Sequence, residues 1–373
     1  YITTSLVFLI GFQLSIAQSN QVFTLEHDGE TREYQVHFPP GYEGSMDDFP
    51  LIINMHGLGS DREQQVGYSY FNLIADTADI VMVYPQGLPV EFWGAVQNHW
   101  NAGFGTGVDD VGFLDKMLDH LLEEFRIDPA RVYSTGMSNG GYMSYYLACQ
   151  MSDRIAAIAS VTGSMTPLVY AACNPTRPVP ILQIHGTNDM VVPFNGNPTI
   201  TTVVESWVNR NNCNVMPSLD TLPDRDPTDG TTTIKYTYSD CDDDSEIWYY
   251  IVNNGGHTWP GSIPVITLGN TSQDFGASLE IWDFFRDYRH PNPRIITSEN
   301  NVFHSDIFIS PNPAIDLLRI ENVPDMNGKL KCTSITGRAF VLNFNNGLAS
   351  VEELPKGVYH IFVNDKPLSF VKI

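Results

Sequence analysis

Pro50-Leu51-Ile52-Ile53-Asn54-Met55 is an apolar run interrupted by a single asparagine. A strand of that composition is expected only where both faces are covered. Ile80-Val81-Met82-Val83-Tyr84 repeats the pattern, and residues 63–78 between the two read as a helix. The alternation continues downstream. Residues 109–125 place Val111, Leu114, Met117, Leu118, Leu121, Leu122 and Phe125 at helical spacing, with Asp109 and Asp110 at the positive helix start. Strands are predicted at 131–134, 155–161, 179–184, 233–238 and 247–252, and helices at 140–151, 203–211 and 277–288. Residues 22–29 and 32–40 read as an opening antiparallel pair turned at Asp28-Gly29. Strands alternating with helices specify a mostly parallel sheet flanked by helices on both faces, an α/β class.

The helical periodicity ends near residue 290. Pro291, Pro293 and the polar residues 297–301 mark a linker over 291–305. Beyond it, strand candidates at 316–320, 329–335, 348–352 and 357–363 are separated by Asn327-Gly328, Gly337 and Asn346-Gly347, which predicts a small all-β sandwich over 306–373. At the other end, residues 1–17 (YITTSLVFLIGFQLSIA) read as a secretory signal peptide. The apolar stretch is shorter than a bilayer span and contains Gln13, and Ser15 and Ala17 suit a cleavage before Gln18. The sequence opens at Tyr1, so the start of that leader is expected upstream. This leaves 18–290 as the large domain, and no other stretch has the composition of a membrane span.

The formal net charge of −23 makes a phosphate backbone a poor partner, so nucleic acid is set aside and the charge is read as a solvating surface. The acidic loops 224–230 and 242–244 lack the ligand spacing of a calcium loop and belong to that face. Export permits disulfides among the five cysteines. Cys149–Cys173 and Cys213–Cys241 are the favoured pairs, since each flanks one local excursion; four buried thiols are the alternative, and Cys332 has no evident partner.

Gly136-Met137-Ser138-Asn139-Gly140 fits G-x-S-x-G with a strand before it and a helix after it, the context that exposes a nucleophilic serine on a sharp turn. A serine nucleophile needs a base, and the base needs an orienting carboxylate; in sheets of this type the order is Ser, acid, His. Asp189 follows the strand 179–184 in His185-Gly186-Thr187-Asn188-Asp189, and His257 lies in the loop after 247–252. Ser138, Asp189 and His257 are therefore the catalytic candidates. His185 precedes Asp189 and is set aside. The loop His56-Gly57-Leu58-Gly59 after the third strand is suited to donate a backbone N–H to an oxyanion, so Leu58 and Asn139 amides are the candidate pair, with His56 bracing the loop. Trp100 and Trp259 are candidate acyl-pocket walls, and the glycine- and aromatic-rich segment 88–106 is a candidate cover. This chemistry calls for neither cofactor nor metal.

The set HGLGSD, WNAG followed by VDDVGFL, GMSNGGYMSYYLAC, HGTNDMVVPFNG and GGHTWPG resembles secreted esterases of the α/β-hydrolase fold, related to polyhydroxybutyrate depolymerases and to feruloyl and acetylxylan esterases, over about residues 22–289. The resemblance implies the same roles for Ser138, Asp189, His257 and the loop 56–59. Many relatives carry cysteine where this chain has Leu58; the donor there is backbone, so only pocket shape is affected. The implied substrate is an ester displayed on a polymer. From about residue 309 the tail resembles a type IX secretion sorting domain, on Ser310-Pro311-Asn312-Pro313, Ile335-Thr336-Gly337-Arg338, Leu354-Pro355-Lys356-Gly357-Val358-Tyr359 and the final Phe370-Val371-Lys372-Ile373. It implies delivery across an outer membrane by that machinery, with the tail either removed or retained. A serine peptidase on the same scaffold and a non-catalytic surface-binding protein are the rival readings.

Overall fold

The computed structural model describes residues 20–92, 94–294 and, within 308–372, all but 311–313, 315, 322–327, 335–337, 346, 364 and 365. The signal peptide expected at 1–17 and most of the expected linker lie outside them. The chain divides into two compact units at residue 296.

In the first unit the elements follow as β1 (Asn20–His27), β2 (Glu30–His37), β3 (Phe49–Met55), α1 (Arg62–Ser69), α2 (Phe71–Ala78), β4 (Val81–Pro85), β5 (Leu88–Phe92), β6 (Ala95–His99), α3 (Asp110–Glu124), β7 (Ile127–Met137), α4 (Asn139–Gln150), β8 (Ala157–Val161), α5 (Pro167–Ala172), β9 (Ile181–Gly186), α6 (Ile200–Arg210), β10 (Ser218–Thr221), β11 (Thr232–Tyr238), β12 (Ile247–Asn253) and α7 (Ala277–Phe285). Ten strands form one sheet in the order β1-β2-β4-β3-β7-β8-β9-β12-β11-β10. Its centre, β4 through β12, is parallel, and the two edges are antiparallel. The fold is that of an α/β-hydrolase.

Alternation along β3 explains the two-faced core. Leu51, Ile53 and Met55 pack in one cluster with α3, α4 and α6, whereas Ile52 packs in another with α2 and α7. Each fully buried Leu or Ile contributes about 1.5–3 kcal/mol relative to exposure, which is why β3 tolerates so little polarity. Asn54, its polar member, is hydrogen-bonded rather than exposed: it accepts from Gln65 Nε2 at 2.8 Å and donates to Ser69 Oγ at 3.1 Å. Ser69 Oγ in turn donates to Gln65 O. This network draws the end of α1 onto the sheet. The single helix expected over 63–78 is accordingly two, broken where Tyr70 takes a left-handed backbone (φ 53°) and closes onto Val66 O. The helix expected at 109–125 is present as α3, capped by Asp109 accepting from Gly112 N–H.

The hairpin β5–β6, the short helix α5 and the edge strand β10 were not legible in the sequence pattern. Both favoured disulfides are present, Cys149–Cys173 and Cys213–Cys241. No helix among the described residues is long and apolar enough to cross a membrane.

The second unit holds β13 (Phe308–Ser310), β14 (Leu317–Glu321), β15 (Gly328–Ser334), β16 (Ala339–Phe344), β17 (Leu348–Ser350), β18 (Gly357–Val363) and β19 (Lys366–Lys372). They make two antiparallel sheets, β13-β14-β17 and β16-β15-β18-β19. The sheets share a core of Leu318, Cys332, Phe344, Tyr359 and Ile361. Cys332 is a free, buried thiol whose pKa burial pushes up to about 11.

Cys149–Cys173 closes a loop of sequence separation 24 between the end of α4 and the end of α5. Its removal in a Cys149→Ala/Cys173→Ala variant is expected to lower unfolding free energy by about 3 kcal/mol in urea titration; an unchanged midpoint would contradict a structural role.

Candidate active site

Ser138 is the single residue between β7 and α4, and its backbone lies at φ 54°, ψ −117°. L residues seldom adopt that conformation, and it persists only where the surroundings impose it. Two glycines impose it here. A Cβ on Gly136 would stand 2.6 Å from Met55 O, and one on Gly140 would stand 2.2 Å from the same oxygen. The start of α4 therefore crosses β3 with backbone against backbone. Ser138 N–H donates to Val161 O at 2.8 Å, and Ser138 O accepts the first helical bond from Tyr142 N–H at 2.9 Å. The hydroxyl side of Ser138 lines a cavity at the positive end of α4.

Asp189 follows β9. Its Oδ1 accepts from the backbone N–H groups of Val191 and Val192 at 2.9 and 2.8 Å. Its Oδ2 accepts from His257 Nδ1–H at 2.8 Å. Burial alone disfavours the charged carboxylate, but hydrogen bonds from His185 and His257 outweigh it and hold the carboxyl well below the usual range. An ionised carboxylate can only accept, so the proton sits on His257 Nδ1, which leaves Nε2 as a lone-pair base. His257 lines the same cavity as Ser138, without a hydrogen bond between the two side chains. Such contacts often tighten only when substrate binds. The loop bearing His257 is tied down by His257 N–H to Leu268 O at 2.7 Å and Gly256 N–H to Asn270 O at 2.9 Å.

His185, set aside on sequence order, has a part in this arrangement. Its Nε2–H donates to Val192 O at 2.9 Å and lies 3.4 Å from Asp189 Oδ2. It holds the turn that presents Asp189. Sequence order excludes it as the base but says nothing of support.

The loop after β3 is braced by His56, which is fully buried. Gly87 N–H donates to His56 Nε2 at 3.0 Å, so the ring proton is on Nδ1, which donates to Gly57 O at 2.8 Å. Burial lowers its pKa to about 4, so the ring is neutral in the pH range where this tautomer is needed. Gly57 O also accepts from Ser60 N–H at 3.1 Å. With that carbonyl fixed, the trans peptide aims the Leu58 N–H the opposite way. Leu58 and Asn139 both line the cavity beside Ser138, and the N–H of Asn139, in the first turn of α4, has no partner within its own helix.

Trp100 and Trp259 are not on the cavity wall. Trp100 is 0% exposed and Trp259 1% exposed, and neither lines the cavity. Their indole N–H groups are engaged inward, as a buried indole requires: Trp100 to His56 O at 3.1 Å and Trp259 to Ser278 Oγ at 3.1 Å. The Asn139 side chain grips the Trp100 backbone from both sides, accepting from its N–H at 2.7 Å and donating to its C=O at 2.9 Å. Trp100 thus joins the His56 loop to the helix that follows Ser138.

The wall is built instead from the segment expected to be a cover. Phe92, His99 and Phe104 line a cavity of ≈ 440 Å³, together with Tyr68 of α1 and Tyr142 of α4. Tyr142 was reachable by reasoning, because position i+4 from Ser138 lies on the same helix face. Separately, His27, Asp28 and Asp109 bring ligand-type atoms within 4.8 Å of one another, and none of the three lines this cavity.

A family model described as Phospholipase/Carboxylesterase matches residues 108–225. NocK of Nocardia uniformis subsp. tsuyamanensis, an esterase by its name, is 32% identical over 251 residues, spanning 62% of this chain and 72% of NocK. Feruloyl esterase B of Piromyces equi is 29% identical over 243 residues, 61% of this chain and 42% of that protein, so the chain spans less than half of that relative's length. The structure of an acetyl xylan esterase from Aspergillus awamori superposes with a TM-score of 0.52 at 13% identity, over 71% of this chain and 99% of that one, and shows a shared fold.

Two outcomes follow from the geometry. Gly140→Ala is expected to cost about 3 kcal/mol through overpacking against Met55 O and to lower activity with it; a thermal melt superimposable on the wild type would refute the backbone contact. His56 has a folded-state pKa below its unfolded one. The unfolded chain therefore takes up a proton first, and stability is lost as pH falls from about 6.5 toward 4, by up to about 3 kcal/mol from this residue. His56→Gln is expected to start lower at neutral pH and to fall less steeply across that window, read by denaturant titration at each pH.

Proposed function

The chain belongs to the esterases of the α/β-hydrolase fold, and from that premise we propose that it hydrolyses carboxylic esters through an acyl-enzyme on Ser138, with His257 as base and Asp189 as its orienting acid. The observation that carries this reading is the Asp189–His257 hydrogen bond of 2.8 Å on a cavity that Ser138 also lines. Ser138 Oγ attacks the ester carbonyl as its proton passes to His257 Nε2. The carbonyl oxygen gains negative charge and is received by the N–H groups of Leu58 and Asn139. Collapse expels the alcohol, which takes the proton from His257. Water then repeats the sequence on the acyl carbon and releases the acid, restoring Ser138. Asp189 stabilises the imidazolium in both halves.

The proposed substrate is an ester carried on a polymer: feruloyl or acetyl groups on plant polysaccharide, or a polyester of the polyhydroxybutyrate kind. Similarity to feruloyl esterase B supports the first, and an aromatic lining of Tyr68, Phe92, Phe104 and Tyr142 supports an aromatic acyl group over acetyl. Export is proposed with it. Two disulfides suit an oxidising compartment, and residues 1–17 carry the features of a leader. The second unit is proposed to be a sorting domain for type IX secretion; of its sequence marks, 311–313, 335–337 and 373 lie outside the described residues.

Methyl ferulate, p-nitrophenyl acetate and hydroxybutyrate oligomers, assayed with the wild type, Ser138→Ala and Asp189→Asn, test this directly. Ser138→Ala is expected to fall to background and Asp189→Asn to lose about 10³–10⁴-fold in kcat. Retained turnover in Ser138→Ala would refute the assignment, and peptide cleavage without ester turnover would replace it with a peptidase.

A further inference from the structure

At the opposite end of the sheet from Ser138 lies a second cleft, of ≈ 690 Å³, that shares no lining residue with the Ser138 cavity. It opens where β3 starts at Phe49, where Asp79 leads into β4, and along the first half of β7 at Asp128 and Arg131. At the usual rise of a strand, Arg131 and Ser138 are about 23 Å apart along β7. The cleft wall carries Trp282 of α7. Trp100, Trp248 and Trp259 donate their indole N–H groups within the protein, and that of Trp207 is sealed in the core. The Trp282 N–H is neither bonded within the protein nor closed to solvent, and among the described residues no ring or cation stacks on its indole. The same wall carries polar groups held in place. Asp128 accepts from Arg131 Nε at 2.8 Å and from Arg289 Nη2 at 2.6 Å, and Arg131 Nη2 donates to Asp48 O at 2.6 Å. Both guanidiniums keep further N–H groups unspent. The carboxylates of Asp47, Asp48 and Asp79 line the cleft without an ion-pair partner among the described residues. Gly41 leaves room for Asp79, since a Cβ there would stand 3.1 Å from Oδ1.

We propose that this cleft is a second binding site, which holds a neutral polysaccharide chain against Trp282, away from the Ser138 cavity. The proposal rests on the reading of the substrate as polysaccharide-borne and is independent of the chemistry at Ser138. A pyranose has an apolar face of C–H groups and a rim of hydroxyls that both donate and accept. An open indole matches the first. Fixed guanidinium donors and unpaired carboxylate acceptors match the second, and hydrogen bonds to ionised groups are the stronger kind. An apolar chain seated here would strip water from those charges and return no hydrogen bond. An anionic polymer would meet four aspartates against two arginines, on a chain of net charge −23. Two sites on one chain prolong residence on the polymer through effective concentration, while each ester is cleaved at Ser138.

Native gel electrophoresis of the full chain, with and without de-esterified arabinoxylan in the gel, tests this. Wild type and Ser138→Ala are expected to be retarded by the polysaccharide. Trp282→Ala is expected to bind about tenfold or more weakly, with turnover of p-nitrophenyl acetate unchanged. Arg289→Ala and Asp79→Ala alter exposed side chains and are expected to weaken retardation several-fold, so they serve if Trp282→Ala does not fold. Because the ligand is uncharged, about 0.5 M NaCl is expected to leave retardation in place. No retardation of wild type overturns the proposal, and so does equal retardation of the folded variants, which would put binding elsewhere on the chain. Retardation abolished by salt, or by added polylysine, overturns it in favour of a basic chain in an acidic cleft. Absence of Ser138-dependent turnover on p-nitrophenyl acetate overturns the catalytic reading instead and leaves retardation to decide this one.

Discussion

Because a Cβ at Gly140 would stand 2.2 Å from the Met55 carbonyl oxygen, helix α4 can begin where it does only if its first turn carries no side chain toward β3. That backbone-on-backbone crossing forces the chain to turn within one residue, and Ser138 absorbs the turn at φ 54°. The strain is stored by a scaffold buried on both faces, since β3, β7 and β8 pack alternately into two cores. A strained serine at the C-terminal end of a central strand, and at the start of a helix, opens onto the cavity and is electrostatically favoured for anionic chemistry.

The loops around it are held by hydrogen bonds rather than by bulk. Asp189 is fixed by two backbone amides and two imidazoles, and its charge sets the tautomer of His257. His56 is kept neutral by burial and pins the Gly57 carbonyl, which orients the peptide of Leu58. Trp100 is clasped by Asn139 and reaches back to His56. The two candidate oxyanion donors thereby belong to one network, although they sit some eighty residues apart in the chain. Preorganised dipoles of this sort need not reorient as charge develops.

The sequence made the sheet legible because a strand buried on both faces has a composition few other elements share, as in 50–55 and 80–84. The elbow was legible because its glycines answer a steric demand that is local. Chain order picked out Asp189 and His257 as candidates, and the fold brings the two together in a hydrogen bond. What was hidden depended on contacts between distant segments. The break at Tyr70 follows from Asn54 pairing with Gln65 and Ser69 across the sheet. Trp100 looked like a pocket wall because aromatic residues near motifs often are, and only its inward indole hydrogen bond shows otherwise. The hairpin 88–99 has no strong period of its own and takes its form from the loop it lies against. His185 was discarded by a rule about catalytic order that is silent on supporting roles.

The central claim is that Ser138 forms a covalent acyl intermediate. Intact-mass and peptide-mass analysis after rapid quenching of the enzyme with a slowly deacylating aryl ester tests it most directly. One acyl group on the peptide bearing Ser138, accumulating at the rate at which the phenol burst appears, is the predicted result. Active enzyme with no adduct under burst conditions, or an adduct confined to another residue, would contradict the account.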